Sequence, residues 1–191
     1  IREKRGALDR NTVLKLVSEI LPANQINTAA DELYDAAADR YKKYAKARKV
    51  LDVPIPVAIV YPRTTEETAR LLAMCNEHRI NVIPRSGKTA TEGGLENWKE
   101  NTLVVDARDL NRIIKIDEYN MQATVEAGVT LQRLEDELNK RGLTTGHSPQ
   151  SKPVAKYGGL VATRSIGQFS TLYGGIEDMV VGLECVFPDG H

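Results

Sequence analysis

The chain has 191 residues, enough for one domain or two small lobes with a real core. Apolar residues make up 41% and charged residues 27%, as in a water-soluble globular protein. Lys plus Arg equals Asp plus Glu at 26 each, so no net field favours nucleic acid or an acidic membrane, and no apolar run approaches the ~18 residues of a membrane span.

Two cysteines, Cys75 and Cys185, sit in apolar stretches within predicted elements. They suggest neither a disulfide framework nor a metal site, and a reducing, cytoplasmic setting fits. His78, His147 and His191 have no ligand spacing, so no metal is expected. The chain opens at Ile1 rather than Met, which leaves room for an upstream segment.

In chain order, Asn11 to Leu21 has helical periodicity, with Leu14, Val17 and Leu21 on one face. A longer helix is predicted from Thr28 to about Arg48. Thr28 would cap it, and Leu33, Ala37, Tyr41 and Tyr44 would form its apolar stripe. Its cations, Arg40 to Lys49, suit a solvated helix end, or contact with a cofactor phosphate or a partner domain. Pro54 and Pro56 mark a boundary. A βαβ pattern follows. Val57 to Tyr61 is a nearly all-apolar strand, as in a buried parallel sheet. Thr64 and Glu67 form a capping box for a helix to about Arg79. Asn81 to Pro84 and Thr102 to Asp106 are further strands.

The pattern then changes to antiparallel. Arg112 to Asp117 and Met121 to Gly128 form a hairpin, the second strand half-buried through Met121, Ala123, Val125 and Ala127. Thr130 caps a helix with Leu131, Leu134 and Leu138 on one face, and Gly142 takes a left-handed position after it. Gly146 to Lys156 is loop, and Gly158 to about Ser165 a short helix. Met179 to Phe187 reads as a strand, with Pro188-Asp189-Gly190 as a turn whose partner strand should come next. The fold class is therefore α+β. The expected parts are an N-terminal helical segment (1–53), a small parallel βαβ lobe (54–106), and a larger, mainly antiparallel lobe (107–191). No G-x-G-x-x-G follows the first strand, so this is not a Rossmann domain.

Three segments could carry chemistry. Arg85 to Gly94 follows a buried strand and offers successive N–H groups, two cations, and hydroxyls at Ser86, Thr89 and Thr91. Such a turn makes an anion nest suited to a pyrophosphate, although it is not a Walker loop. By itself it also reads as a surface glycine loop. The second segment runs from Gly146-His147-Ser148-Pro149 into Gly158-Gly159, a loop feeding a helix start. The third is Tyr173-Gly174-Gly175-Ile176-Glu177-Asp178, by itself a tight turn, with structural roles expected for both carboxylates.

In this order the segments resemble the FAD-binding domain of the family of vanillyl-alcohol oxidase and p-cresol methylhydroxylase. The resemblance runs from Pro56 to Gly190, about two thirds of the chain. Arg85 to Gly94 is similar to the family's R-G-G-G-T-S-x-x-G-G loop. Glu126-Ala127-Gly128-Val129, Gly158-Gly159 and Tyr173-Gly174 to Gly190 are similar to its later motifs. Gly146 to Pro149 and Thr163-Arg164-Ser165 most resemble the alkyldihydroxyacetonephosphate-synthase branch and FAD-linked oxidases.

The resemblance implies that Pro84, Arg85, Ser86, Gly87, Lys88, Thr89 and Ala90 cradle the FAD pyrophosphate. It implies that Pro149, Gln150, Ser151, Thr163, Arg164, Ser165 and Ile166 line the flavin ring and ribityl chain. Gly158, Gly159 and Gly174 would allow close backbone approach, and Tyr173 is implied as a cofactor-binding residue beside them. Ser86 and Lys88 replace family glycines. Thr89 stands where members with covalent flavin carry a histidine, which implies noncovalent FAD, with His147 as a hydrogen-bonding loop residue or the alternative attachment point. A branched side chain at Gly87 is expected to expel the cofactor and leave the fold largely intact.

A cap domain would follow in sequence and supply the substrate pocket, so catalytic residues are not assigned. The activity implied is oxidation of a hydroxyacid or alcohol by hydride transfer. The alternatives are a flavin-dependent transferase without net oxidation and a non-catalytic flavin-carrying subunit. The expected partners are FAD, a small-molecule substrate, and a second copy or an electron-transfer protein. Nucleic acid and a transmembrane segment are not expected.

Overall fold

In the computed structural model, which describes residues 8–191, the all-apolar strand lies inside a sheet covered on both faces. Strand β2 (Ala58–Val60) runs parallel to β4 (Thr102–Asp106), pairing Ile59 with Val104. The short β1 (Ile26–Asn27) pairs antiparallel with β2, and β3 (Asn81–Arg85) lies beside β4, giving the order β1-β2-β4-β3. The βαβ unit therefore has β4 inserted between its two strands.

Pleating sends alternate residues of β2 and β4 to opposite faces. Ala58, Val60 and Leu103 pack with Val13, Val17 and Leu21 and with Leu71 and Cys75. These last come from α1 (Arg10–Ser18) and the turn after it, and from α4 (Thr65–His78). Ile59, Tyr61 and Val104 pack on the other face with Leu33 and Ala36 of α2 (Ala30–Ala36) and with Ile83. This double burial is why β2 does not alternate with polar residues. Burial pushes the Cys75 thiol up to about 12, so it is an unreactive core residue.

Several expectations need correction. The stripe of α1 centres on Val13, Val17 and Leu21, with Leu14 only flanking it, and Asp9 caps the helix through Asn11 and Thr12. The long helix from Thr28 is broken. α2 starts after Ala29 without a side-chain cap and ends at Ala36. Buried Asp39 then caps a separate turn through Tyr41 N–H at 2.7 Å, before α3 (Lys43–Ala47). Tyr41 and Tyr44 consequently point outward. Among the cations, Lys42 pairs with Glu96 and Lys46 with Asp35. Thr64 caps α4 as predicted, but Glu67 turns to Arg63 N–H and buried Gln25 instead of closing the box on Thr64. The first seven residues of the N-terminal segment lie outside the described residues.

The described residues form two compact units, residues 8–84, 90–106 and 185–191 in the first, 85–89 and 107–184 in the second. The second holds the antiparallel hairpin β5 (Ile113–Asp117) and β6 (Gln122–Val125) and helix α5 (Leu131–Asn139). It ends in α6 (Tyr157–Ala162), α7 (Ser170–Tyr173) and α8 (Ile176–Met179). Leu134 and Leu138 join Val129 in a core flanked by Ile113, Ile116 and Val125. Of the face expected to be half-buried on β6, Met121 and Ala123 are exposed, because only the Val125 end reaches this core.

The predicted strand from Met179 to Phe187 does not form. Its first residue closes α8, and the rest has no ladder partner among the described residues. Apolar, β-branched composition alone cannot hold a strand whose N–H and C=O groups lack a neighbour. Cys185 is exposed here rather than set in apolar surroundings. The Pro188–Gly190 turn does form, with Gly190 N–H donating to Phe187 O at 2.9 Å.

Candidate cofactor site

Strand β3 ends at Arg85 and delivers a short loop to the second unit. Gly87 lies flat against the main chain of 154–156. A Cβ there would stand 2.7 Å from Val154 O and 3.1 Å from Lys156 N. A Cβ on Gly159 would stand 2.7 Å from Ser86 Oγ. Among the described residues no main-chain acceptor takes the N–H of Ser86, Gly87 or Thr89. Amides at Ser86, Gly87 and Thr89 that no main-chain oxygen takes, one of them at a glycine with no side chain between backbone and ligand, fit an anionic diphosphate.

Lys88 has φ of 56°, the left-handed region where side chains are strained. A glycine would adopt that conformation freely. Lys88→Gly is therefore expected to leave the protein as stable or more stable, by about 1 kcal/mol at most. Thermal unfolding of the two proteins checks this, and a clear loss of stability would refute the strain.

The loop from Thr144 to Lys156 is tied along α5. Leu131 N–H donates to Ala155 O at 2.9 Å and Gln132 N–H to Lys152 O at 3.2 Å, so the open amides of the helix start hold the loop. Thr130 caps the same helix through Arg133 N–H at 3.2 Å. Further along, the buried carboxylate of Glu135 accepts from Thr145 N–H at 2.7 Å, Thr145 Oγ1 at 2.6 Å and Thr144 Oγ1 at 2.9 Å. Lys152 Nζ lies 3.3 Å away. Burial raises the pKa of Glu135, but these donors outweigh it and hold the carboxyl below its ordinary value. Tyr157 is buried near the same carboxylate, which raises its phenol.

His147 is 2% exposed. Its Nε2 lies 3.1 Å from Ser165 Oγ, and its Nδ1 is buried without a partner among the described residues. Burial lowers its pKa, only partly opposed by Glu177, so the ring is neutral at pH 7. Glu135 and His147 thus both bind protons less readily in the fold than in the unfolded chain. The unfolded state takes up more protons on acidification, and stability must fall. Denaturant unfolding across pH is expected to show constant stability between about pH 7 and 8, below the ordinary values of 9.0 for Cys75 and 10.0 for Tyr157, above which the unfolded chain ionises first and stability falls again. A decline should begin near 6.5, the ordinary value for histidine. It should steepen below about 4.5, the ordinary value for Glu135. In His147→Gln the first phase should vanish.

The remaining predicted residues sit in α6 and after it. Thr163 Oγ1 donates to Gly159 O at 2.8 Å, inside the helix. Arg164, at φ 51°, extends to Glu177 at 2.9 Å, and Ser165 O accepts Ile176 N–H at 3.0 Å. Glu177 and Asp178 hold their own surroundings, Asp178 accepting Gly175 N–H at 2.8 Å. The Tyr173 ring covers Gly146. Ile166 is exposed, and so is Gln150.

The second unit therefore brings Ser86 and Gly87 together with Gly159 and residues 154–156, and His147 with Ser165. Pro84 and Ala90 belong to the first unit, where Ala90 O accepts Arg40 N–H at 3.3 Å. The Glu135 cluster with Thr144, Thr145 and Lys152 was missed in the sequence. Its one signal was a carboxylate on the apolar side of a helix, between Leu134 and Leu138. The expected effect of a branched residue at Gly87 also changes, since its neighbour is protein backbone.

Among the described residues no helix is long and apolar enough to cross a membrane, and no group of three or more His, Cys, Asp or Glu residues could hold a metal ion.

The profile of a family described as FAD binding domain matches residues 56–191. The FAD-linked oxidoreductase YgcU of Escherichia coli (strain K12) is 51% identical over 96% of the chain. Glycolate oxidase subunit GlcD of Bacillus subtilis (strain 168) is 35% identical over 71% of it. The chain spans 38% and 29% of the length of these two relatives. A solved alkyldihydroxyacetonephosphate synthase superposes with a TM-score of 0.85 at 25% identity, over 97% of this chain and 36% of that one.

Proposed function

Because the chain belongs to the FAD-binding-domain family, we propose that it is the cofactor-holding part of a flavin-dependent oxidoreductase acting on a 2-hydroxyacid or alcohol. The observation that carries this reading is the cradle of Ser86, Gly87 and Thr89 amides, with Gly87 stripped of a side chain against residues 154–156. In this proposal those amides and Lys88 hold the pyrophosphate of noncovalent FAD. Residues Pro149–Ala155 and Thr163–Ile166 orient the ring system, and neutral His147 fixes Ser165. Bound FAD supplies a two-electron acceptor able to take a hydride from a substrate carbon. The protein's task is to position the cofactor and exclude water.

The hydroxyacid class is supported by the similarity to a glycolate oxidase subunit. A transferase without net oxidation is the second reading, supported by the superposition on alkyldihydroxyacetonephosphate synthase. Two free cysteines support a reducing, cytoplasmic setting. The substrate pocket and any second copy or electron-transfer partner would be provided outside this chain.

The test uses the full-length protein. Its absorption should show flavin bands near ~370 and ~450 nm, released by acid, and candidate 2-hydroxyacids should bleach the second band in stopped flow. Bands that no hydroxyacid or alcohol bleaches would favour the transferase. Absence of bound flavin, with none taken up on titration, would end both readings.

A further inference from the structure

We infer that Glu135 is a positioning residue for the cofactor loops, anchoring from helix α5 both the 144–156 segment and, through it, the Gly87 cradle. The inference rests on the cofactor reading above. Glu135 is 3% exposed, a site where a carboxylate is costly unless every oxygen is satisfied. Here Oε1 accepts from Thr145 N–H and Thr145 Oγ1, at 2.7 and 2.6 Å, while Oε2 accepts from Thr144 Oγ1 at 2.9 Å and faces Lys152 Nζ at 3.3 Å.

The two hydroxyls pass the restraint on. Thr144 Oγ1 accepts Gly146 N–H and Thr145 Oγ1 accepts His147 N–H, each at 3.2 Å. One side chain thus fixes residues 144–147 at the start of the loop and Lys152 near its end. Val154–Lys156, just beyond, form the wall against which Gly87 lies. An apolar side chain would complete the surface between Leu134 and Leu138 without this cost. The carboxylate earns its place by what it holds: it connects two segments ten and seventeen residues away to one helix.

A merely structural role would lower stability and leave the bound flavin unchanged. The two are separated in the full-length flavoprotein by titrating apoprotein with FAD, recording the visible circular dichroism of the saturated protein, and melting the apoprotein. Glu135→Ala is expected to raise the FAD Kd tenfold or more and to alter the flavin dichroism. Glu135→Gln, which keeps an oxygen for Thr145, should recover most of both. Thr145→Val removes one arm of the anchor with little change of shape, and it should move both quantities in the same direction. It decides the matter if Glu135→Ala does not fold. FAD affinity within twofold of the parent, or a flavin dichroism that superposes on the parent's despite a lower Tm, would overturn the inference. A parent protein that binds no flavin overturns the cofactor reading itself, and that result is seen before any variant is made.

Discussion

Gly128→Ala is expected to cost about 3 kcal/mol or more and to lower Tm by roughly 10 °C. Gly128 sits where the chain leaves β6 and turns toward α5. Its N–H donates to Leu110 O at 2.6 Å, and a Cβ would fall onto the carbonyl oxygen of Ala107 and 2.5 Å from that of Leu110. Both obstacles are backbone, so no rotamer change relieves the clash. Either the 107–110 segment moves or the hydrogen bond is lost. Leu131 and Val129, buried immediately afterwards, would be displaced from their cores. Gly182→Ala is the control, because an added methyl there meets nothing within 4 Å. Equilibrium unfolding of the two variants decides the point. If Gly128→Ala unfolds with the parent, the close approach does not exist in solution.

The parts legible from sequence were those in which local chemistry and burial agree. The Thr64 and Thr130 caps, the all-apolar β2 and the leucine face of α5 each state one requirement, and the fold meets it. The errors fall where a long-range partner decides. Residues 179–187 are rich in valine and other apolar residues like a strand, but that composition does not say whether an edge is available to pair with. The helix from Thr28 had the right period, yet it could not reveal that buried Asp39 would start a new turn. Met121 has φ of 54° and belongs to the hairpin turn, a backbone choice invisible in its apolar character. At the candidate site, order along the chain pointed to the loop at Gly87 and the helix at Gly158. The sequence did not expose the Glu135 anchor, because its partners are ordinary threonines and a lysine whose value comes only from proximity.

Gly87→Val is expected to abolish FAD binding and also to lower stability, by about 1–3 kcal/mol. Two consequences follow from one position. In the cofactor reading the amides of Ser86, Gly87 and Thr89, which no main-chain oxygen takes among the described residues, need a fixed loop curvature to converge on an anion. Gly87 also lies against the main chain of 154–156, where a Cβ would be 2.7 Å from Val154 O. The loop must therefore lift, because Val154 and Ala155 N–H both donate to Ser151 O, at 2.9 and 2.8 Å, and Ala155 O is held by α5. Lifting scatters the amides, so the cofactor is lost even where the fold survives. Gly87→Ala should show the same pair of effects at smaller size, since only one carbon must be accommodated. Flavin content of the purified full-length variants and their apoprotein Tm give the two readouts. Full flavin occupancy in Gly87→Val would mean that the diphosphate is held elsewhere. Lost flavin with an unchanged apoprotein Tm would instead show that the loop stands clear of residues 154–156.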